Sequence, residues 1–331
     1  MNNILLCSAG RRVKLIQQIK KSLNNTGKVI AVDINNTAPA LYFADKSYIV
    51  PRITDDNYIN ILLDICSKEN IRAITTLFDP EIEILAKHKH LFEEIGVLTI
   101  LPSYETSRLC IDKFSMYEYL LSNNIQTIKT YNSLALFKED LEKGKINFPV
   151  FIKPRFGSGS IGARKVETLE DLIFIFNREN IIIQELMTGK DIGVDVYIDC
   201  ISKEVVSIYS KHRIEIRDGV TIKSISFKDE KLFNFIKEIN KFFDFKGPLD
   251  MEFFYQDGKY YLSEINPRFS GSYIHAYASD VDFVPLITNN INGIKNVPNI
   301  GLYQENNVVM YYDDLLIKKQ EDLVTDVTKP S

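Results

Sequence analysis

Through the first hundred residues, short β-rich apolar runs alternate with longer stretches whose apolar side chains recur at helical spacing. ILLC precedes an amphipathic stretch from Arg11 to Leu23, VIAVD precedes Tyr58 to Ser67, AITTL precedes Glu81 to Glu94, and VLTIL closes the series. Strands separated by helices predict βαβ units: a parallel sheet with covering helices, Rossmann-like in character. From Lys113 to Met187 the order changes to helix (Phe114 to Leu121), helix (Ser133 to Lys143), strand (PVFIK), glycine-rich loop, short strand (ARKV), helix (Leu169 to Phe176) and strand (IIIQE). Beyond Gly189 come the alternating strands VDVYID, VVSIYS and TIKSISF, a helix with Leu232, Phe235, Ile236, Ile239, Phe242 and Phe243 at helical spacing, and a hairpin about Asp257-Gly258. The pattern predicts an α/β chain with α+β character in its C-terminal half, divided at 1–111, 112–187 and 188–331.

Composition narrows the partners. A chain of 331 residues, 45% hydrophobic, has material for more than one core. Its formal charge of -4 and lack of a Lys/Arg run argue against a nucleic-acid partner. No stretch reaches the roughly 18 apolar residues of a membrane helix, and the N-terminal MNNILLC has no charged leader, so a cytoplasmic protein is expected. Cys7, Cys66, Cys110 and Cys200 are far apart and form no C-x-x-C pair, which suggests neither a disulfide framework nor zinc.

Two segments carry chemistry. Gly157-Ser158-Gly159-Ser160-Ile161-Gly162 matches G-x-G-x-x-G, but it runs into the strand ARKV, and a helix starts only at Thr168-x-x-Asp171. A dinucleotide loop opens directly into a helix; this one joins two strands. Such a flap can cover a polyphosphate with backbone N–H groups, helped by the hydroxyls of Ser158 and Ser160 and the charge of Lys153. A surface hairpin with an incidental lysine would show the same letters. The first β-α turn, Ser8-Ala9-Gly10, with Asp33 ending the next strand, holds one glycine where a dinucleotide fingerprint needs three, so it reads as scaffold.

The second segment is EINPRFSGS, from Glu264. A two-residue Asp257-Gly258 loop would put Glu252 and Glu264 on opposite faces; a three-residue loop with a Gly258 bulge would put Asp250, Glu252, Glu264 and Asn266 on one face and Leu249, Met251, Phe253 and Ile265 on the other. The second arrangement is expected. Carboxylates and an amide so gathered call for a hard cation with oxygen ligands, Mg2+ first, although a solvated acidic face is the simpler alternative. Arg268, just beyond, has the fork to grip a carboxylate or phosphoryl group.

These segments, with Lys113 in IDKF, QELMTGKD, KHRIEIRDGVT and GPLDMEFF, resemble the ATP-grasp superfamily, in particular its carbamoyl phosphate synthase large-subunit-like branch, which includes the pyrrolysine-pathway ligase. The resemblance implies an ATP-grasp fold: a Rossmann-like pre-ATP-grasp domain, a small lid and a large subdomain with the metal site. It implies ATP phosphates on Lys113, Lys153, Gly157, Ser158, Gly159 and Ser160, adenine along Gln184, Glu185, Leu186 and Met187, and ribose at Asp191. Glu252, Glu264 and Asn266 would hold Mg2+, with Mn2+ as substitute. Arg268 would steady an acyl phosphate, with Arg213 or Arg217 as second clamp and Lys153 shared with catalysis. The activity implied is a carboxylate-amine or carboxylate-thiol ligase acting on small molecules, with a homodimer left open. A synthase subunit contains two such synthetase units, and this chain has room for one, which argues against carbamoyl phosphate as product. An ATP-binding regulatory or partner subunit, or an NAD-dependent oxidoreductase, are the alternatives. His88, His90, His212 and His275 lack evident partners and are expected to be structural or solvated.

Overall fold

The structure, a computed structural model, describes residues 1–157, 159 and 161–325. Five parallel strands open the chain: β1 (Asn3–Cys7), β2 (Val29–Asp33), β3 (Lys46–Ile49), β4 (Ile71–Thr76) and β5 (Leu98–Thr99), ordered β3-β2-β1-β4-β5. β1, β2 and most of β4 are buried on both faces, as parallel strands covered by helices must be. Helix α1 (Val13–Leu23) turns Leu15, Ile16, Ile19 and Leu23 inward and stops at Asn24 in the left-handed conformation. α2 (Tyr58–Lys68) covers the opposite face.

The expected helix from Glu81 to Glu94 is two helices, α3 (Asp79–Lys87) and α4 (Lys89–Glu94). His88 breaks them, its ring Nδ1 lying 2.9 Å from the Ile84 carbonyl in place of a backbone donor. The apolar pattern gives no sign of α5 (Tyr104–Ile111), because the residues it buries are Thr106 and Ser107. Its cap, Ser103, accepts from the Thr106 N–H.

α6 (Lys113–Ser122), capped by Asp112, leads into a smaller unit: β6 (Thr130–Tyr131), α7 (Leu134–Glu142), β7 (Val150–Pro154), β8 (Arg164–Val166), α8 (Leu169–Phe176) and β9 (Ile181–Glu185). Its sheet runs β6-β9-β7-β8, and its core of Tyr131, Phe137, Val150, Ile152, Leu172 and Ile183 is separate from the others. The glycine loop joins β7 to β8, as its sequence context implies.

The large sheet runs β14-β13-β10-β11-β12-β15, built from β10 (Lys190–Ile198), β11 (Val205–Arg217), β12 (Val220–Phe227), β13 (Gly247–Gln256), β14 (Lys259–Asn266) and β15 (Val308–Met310). α9 (Glu230–Asn240) buries Leu232, Phe233, Ile236 and Ile239, and α10 (Ile274–Ala278) and α11 (Val284–Ile291) pack against α1. One apolar core thereby runs from α1 to the large sheet. Among the described residues no helix is long and apolar enough to cross a membrane.

The hairpin register corrects the expected loop. Gln256 pairs with Lys259 across a two-residue Asp257-Gly258 turn, both residues at positive φ. The extra residue sits further along: Phe253 pairs with Leu262 and Glu252 with Glu264, leaving Ser263 as a bulge. Alternation is restored there, so Glu252 faces Glu264 and Asp250 faces Asn266, while Leu249, Met251, Phe253 and Ile265 are buried on the other side.

Candidate active site

A cavity of about 850 Å³ lies where the three parts meet, near the top of the ~300–1,000 Å³ range of small-molecule sites. Its floor is the acid-bearing face of β13 and β14: Asp250, Glu252, Ser263, Glu264 and Asn266. The smaller unit supplies Lys153, Gly157 and Gly159 overhead and Gln184 to Met187 along one side. The parallel sheet closes the far end with loops from the carboxyl ends of β1 and β4, through Arg12 and Leu77 to Pro80. These strands are neighbours at the point where the strand order reverses, the usual crevice of an open parallel sheet.

Both loops are tied down from beneath. Glu81 is fully buried and accepts hydrogen bonds from Ser8 Oγ (2.6 Å), Thr76 Oγ1 (2.5 Å) and the Tyr58 hydroxyl. Burial raises its pKa against the effect of those donors. Asp33 is engaged as well, accepting from the N–H groups of Gly10 (2.8 Å) and Asn35 (2.9 Å). The carboxylate that would hold a ribose in an NAD site instead shapes its own turn, so the oxidoreductase reading has no support there.

Cations and carboxylates alternate along the floor. Lys153 Nζ is 3.7 Å from Glu264 Oε2, and burial lowers its pKa despite that carboxylate. Arg213 bridges Glu252 (Nη1 to Oε1, 2.7 Å) and Asp191 (Nε to Oδ1, 3.2 Å). Burial pushes Glu252 up to about 7, Arg213 opposing it and Glu264 and Asp250 adding to it. Burial likewise raises Asp191 against Arg213. Glu252 and Glu264 face each other across the two strands, an arrangement that favours positive charge between them. Oxygen donors of Glu252, Glu264 and Asn266 on one sheet face fit a hard divalent cation.

Arg268 is nine-tenths buried, and its fork is already engaged: Nε is 2.7 Å from Asp79 Oδ1, Nη2 donates to Asp79 Oδ2 (3.0 Å), and Nη1 donates to Asp250 Oδ2 (3.2 Å) and the Phe269 carbonyl (3.1 Å). Burial works against its charge, but the two carboxylates raise its pKa overall. Rather than standing open as an anion clamp, Arg268 locks β14 to the β4 loop. Of the two candidate second clamps, Arg213 lines the cavity; Arg217 is 61% exposed, facing Glu215 and Asp313, and lies outside the lining.

The remaining expected residues gather here too. Lys113 donates to the Gly157 carbonyl, tying α6 to the flap. Gly157 and Gly159 are at positive φ, which favours glycine; Ser158 and Ser160 lie outside the described residues. Gln184 is buried and donates to Thr130 Oγ1 at 2.8 Å. The histidines lie outside the cavity lining: His212 stacks on Phe227 at 4.1 Å, and His275 is buried 2.6 Å from Ser224 Oγ. Sequence reasoning missed Arg12, Asp79 and Gly219. A Cβ on Gly219 would sit 2.9 Å from the Gly159 backbone, so the β11–β12 turn touches the flap only because it carries glycine. The order-reversal rule for parallel sheets is a signal that, applied to the predicted βαβ units, leads to the β1 and β4 loops.

A parallel α/β unit, a glycine flap on its own small core and an acid-bearing antiparallel sheet, closed round one cavity, define an ATP-grasp protein. Residues 110–272 match the ATP-grasp domain family, and residues 4–100 match the PylC-like N-terminal domain family. The chain therefore carries an ATP-grasp domain behind a PylC-like N-terminal domain. It is 23% identical over 288 residues to the arginine-specific large chain of carbamoyl phosphate synthase from Bacillus subtilis (strain 168), covering 82% of this chain and 26% of that protein. It thus spans about a quarter of the length of that relative. Among solved structures it resembles N5-carboxyaminoimidazole synthetase from Staphylococcus aureus complexed with ADP (TM-score 0.71, 19% identity, 90% of this chain and 79% of that one). It also resembles the biotin carboxylase domain dimer of Hydrogenobacter thermophilus 2-oxoglutarate carboxylase in complex with MgADP, ADP and bicarbonate (TM-score 0.69, 18% identity, 92% and 73%).

Proposed function

We propose that this chain is an ATP-dependent ligase that activates a small carboxylate as an acyl phosphate and passes it to an amine, or to a thiol in the variant reading. The observation that carries this is the facing pair Glu252 and Glu264, with Asn266 beside them and Lys153 3.7 Å from Glu264, beneath a glycine flap. Lys113, Lys153 and the flap residues Gly157 and Gly159 hold the phosphates, with Ser158 and Ser160 assigned there from sequence alone. Gln184 to Met187 receive the adenine and Asp191 the ribose. Glu252, Glu264 and Asn266 hold Mg2+, with Mn2+ able to substitute; when bound, the metal neutralises phosphate charge.

In the first step a substrate carboxylate oxygen bonds to the γ-phosphorus, the bond from that phosphorus to the bridging oxygen breaks, and ADP leaves. The amine nitrogen then bonds to the acyl carbon, and phosphate departs with the acyl-side oxygen and a proton from the amine. Such transfers need mainly positioning and fixed charge. Lys153 and Arg213 supply positive charge at the floor. Arg268 adds charge while its fork positions Asp79 and Asp250.

The same reading takes 1–111, 112–187 and 188–331 as the working units, a cytoplasmic location and a homodimer as the assembly, the last supported by the dimeric biotin carboxylase neighbour. The test incubates the purified chain with ATP, Mg2+ and pools of amino acids, measuring ADP. Substrate-dependent, Mg2+-dependent release is expected, reduced at least about a hundredfold in Glu264→Ala with the fold retained. Full activity in that variant would remove the metal assignment, and ATP binding without release from any pool would favour a regulatory subunit.

A further inference from the structure

We propose that Arg12 binds an anionic group, a carboxylate or a phosphate, on a substrate other than ATP, in the crevice between the carboxyl ends of β1 and β4. The inference rests on reading the cavity as a ligase site and extends it to substrate class.

Arg12 is brought to the cavity by the β1 loop, and Nη1 donates to the Ser270 carbonyl at 3.0 Å. Three other cations of the wall each have a carboxylate close by: Lys153 has Glu264, Arg213 has Glu252, and Arg268 has Asp79 and Asp250. Among the described residues Arg12 has none within 4 Å. The nearest acids, Asp79 and Asp250, are taken up by Arg268. Burial, with repulsion from Arg268, lowers Arg12 to about 10, the attraction of Asp250 and Asp79 notwithstanding. A half-buried guanidinium with no carboxylate partner keeps donors and charge available to an anionic ligand group.

The surroundings keep the fork in place. A Cβ on Gly271 would come within 3.2 Å of Arg12 Nη1 and 3.0 Å of Val220, so glycine preserves the space that Arg12 occupies. Lys113, the other wall cation without a carboxylate partner among the described residues, is half-buried like Arg12 but tied to Gly157 at the flap. The two therefore serve different regions of the cavity, one the triphosphate beneath the flap and the other the co-substrate.

The test is thermal melting of the full chain titrated with sodium succinate or inorganic phosphate at constant ionic strength, with and without MgADP, chloride serving as control. A saturable rise in Tm with at least one probe is expected, and which probe acts separates carboxylate from phosphate. Arg12→Gln should raise the half-saturating concentration about tenfold or more while leaving the MgADP-induced shift as in wild type. Gly271→Ala, which displaces the fork without removing its charge, should weaken the response as well and decides the matter if Arg12→Gln does not fold. No response to either probe in wild type, or unchanged half-saturation in the variants, would overturn the assignment. Absence of any MgADP shift would instead count against the ligase reading, while the anion titration would still report on Arg12.

Discussion

His275 shows how far a side chain's surroundings outweigh its identity. It is wholly enclosed against Ser224, and burial, with Lys211 nearby, lowers its pKa from 6.5 to about 3. The unfolded chain therefore takes up a proton there below about pH 6.5 that the folded chain refuses. The associated stability is fully present above that pH and is lost as pH falls toward about 3, by up to about 1.4 kcal/mol per pH unit. Denaturant melts of wild type and His275→Gln across this window should differ in slope, the variant being the flatter; parallel curves would show that the residue does not titrate in this way. The phosphate candidate Lys153 and the metal candidates Glu252, Glu264 and Asn266 were legible because each lies in a short motif whose spacing implies chemistry. Asp79 and Arg12 were not, because their meaning depends on tertiary closure: Asp79 meets Arg268 across 189 residues of chain.

The hairpin separates what its turn does from what its bulge does. Both residues of the Asp257-Gly258 turn lie at positive φ, matching the strand twist of a two-residue loop, and a Gly258→Ala change should cost about 1 kcal/mol without affecting activity. Deleting Ser263 removes the bulge but leaves Glu264 paired with Glu252 and Asn266 with Asp250, so the shared face survives and ADP formation should persist. Loss of ADP formation in a folded Ser263 deletion would show that the site needs the bulge itself and not only the shared face. The sequence implied the common face of the four polar residues but placed the extra residue in the turn, since bulge position depends on local packing that alternation does not encode. Gly219 belongs to this scale too: a Cβ there collides with the Gly159 backbone, so Gly219→Ala should raise the KM for ATP several-fold, whereas an unchanged KM would mean that the flap does not rest on the β11–β12 turn.

Across the whole molecule, two regions behave differently. The N-terminal unit and the large sheet share one apolar core and are joined by Arg268 to Asp79, Ser22 Oγ to Asp282 (2.5 Å) and Arg12 to Ser270. The smaller unit keeps a core to itself, which suits a cover that moves as a body over a fixed floor. The order of strands and helices made the three sheets readable, but their docking was not, because neither the polar pairs that join them nor the apolar contacts they share are periodic along the sequence. The most direct measurement is calorimetric titration of ADP into the full chain with and without Mg2+. Saturable heat that strengthens with Mg2+ in wild type, and loses that Mg2+ dependence in Glu264→Ala, is the expected result. No heat under either condition would contradict the assignment of the cavity to a nucleotide and its metal.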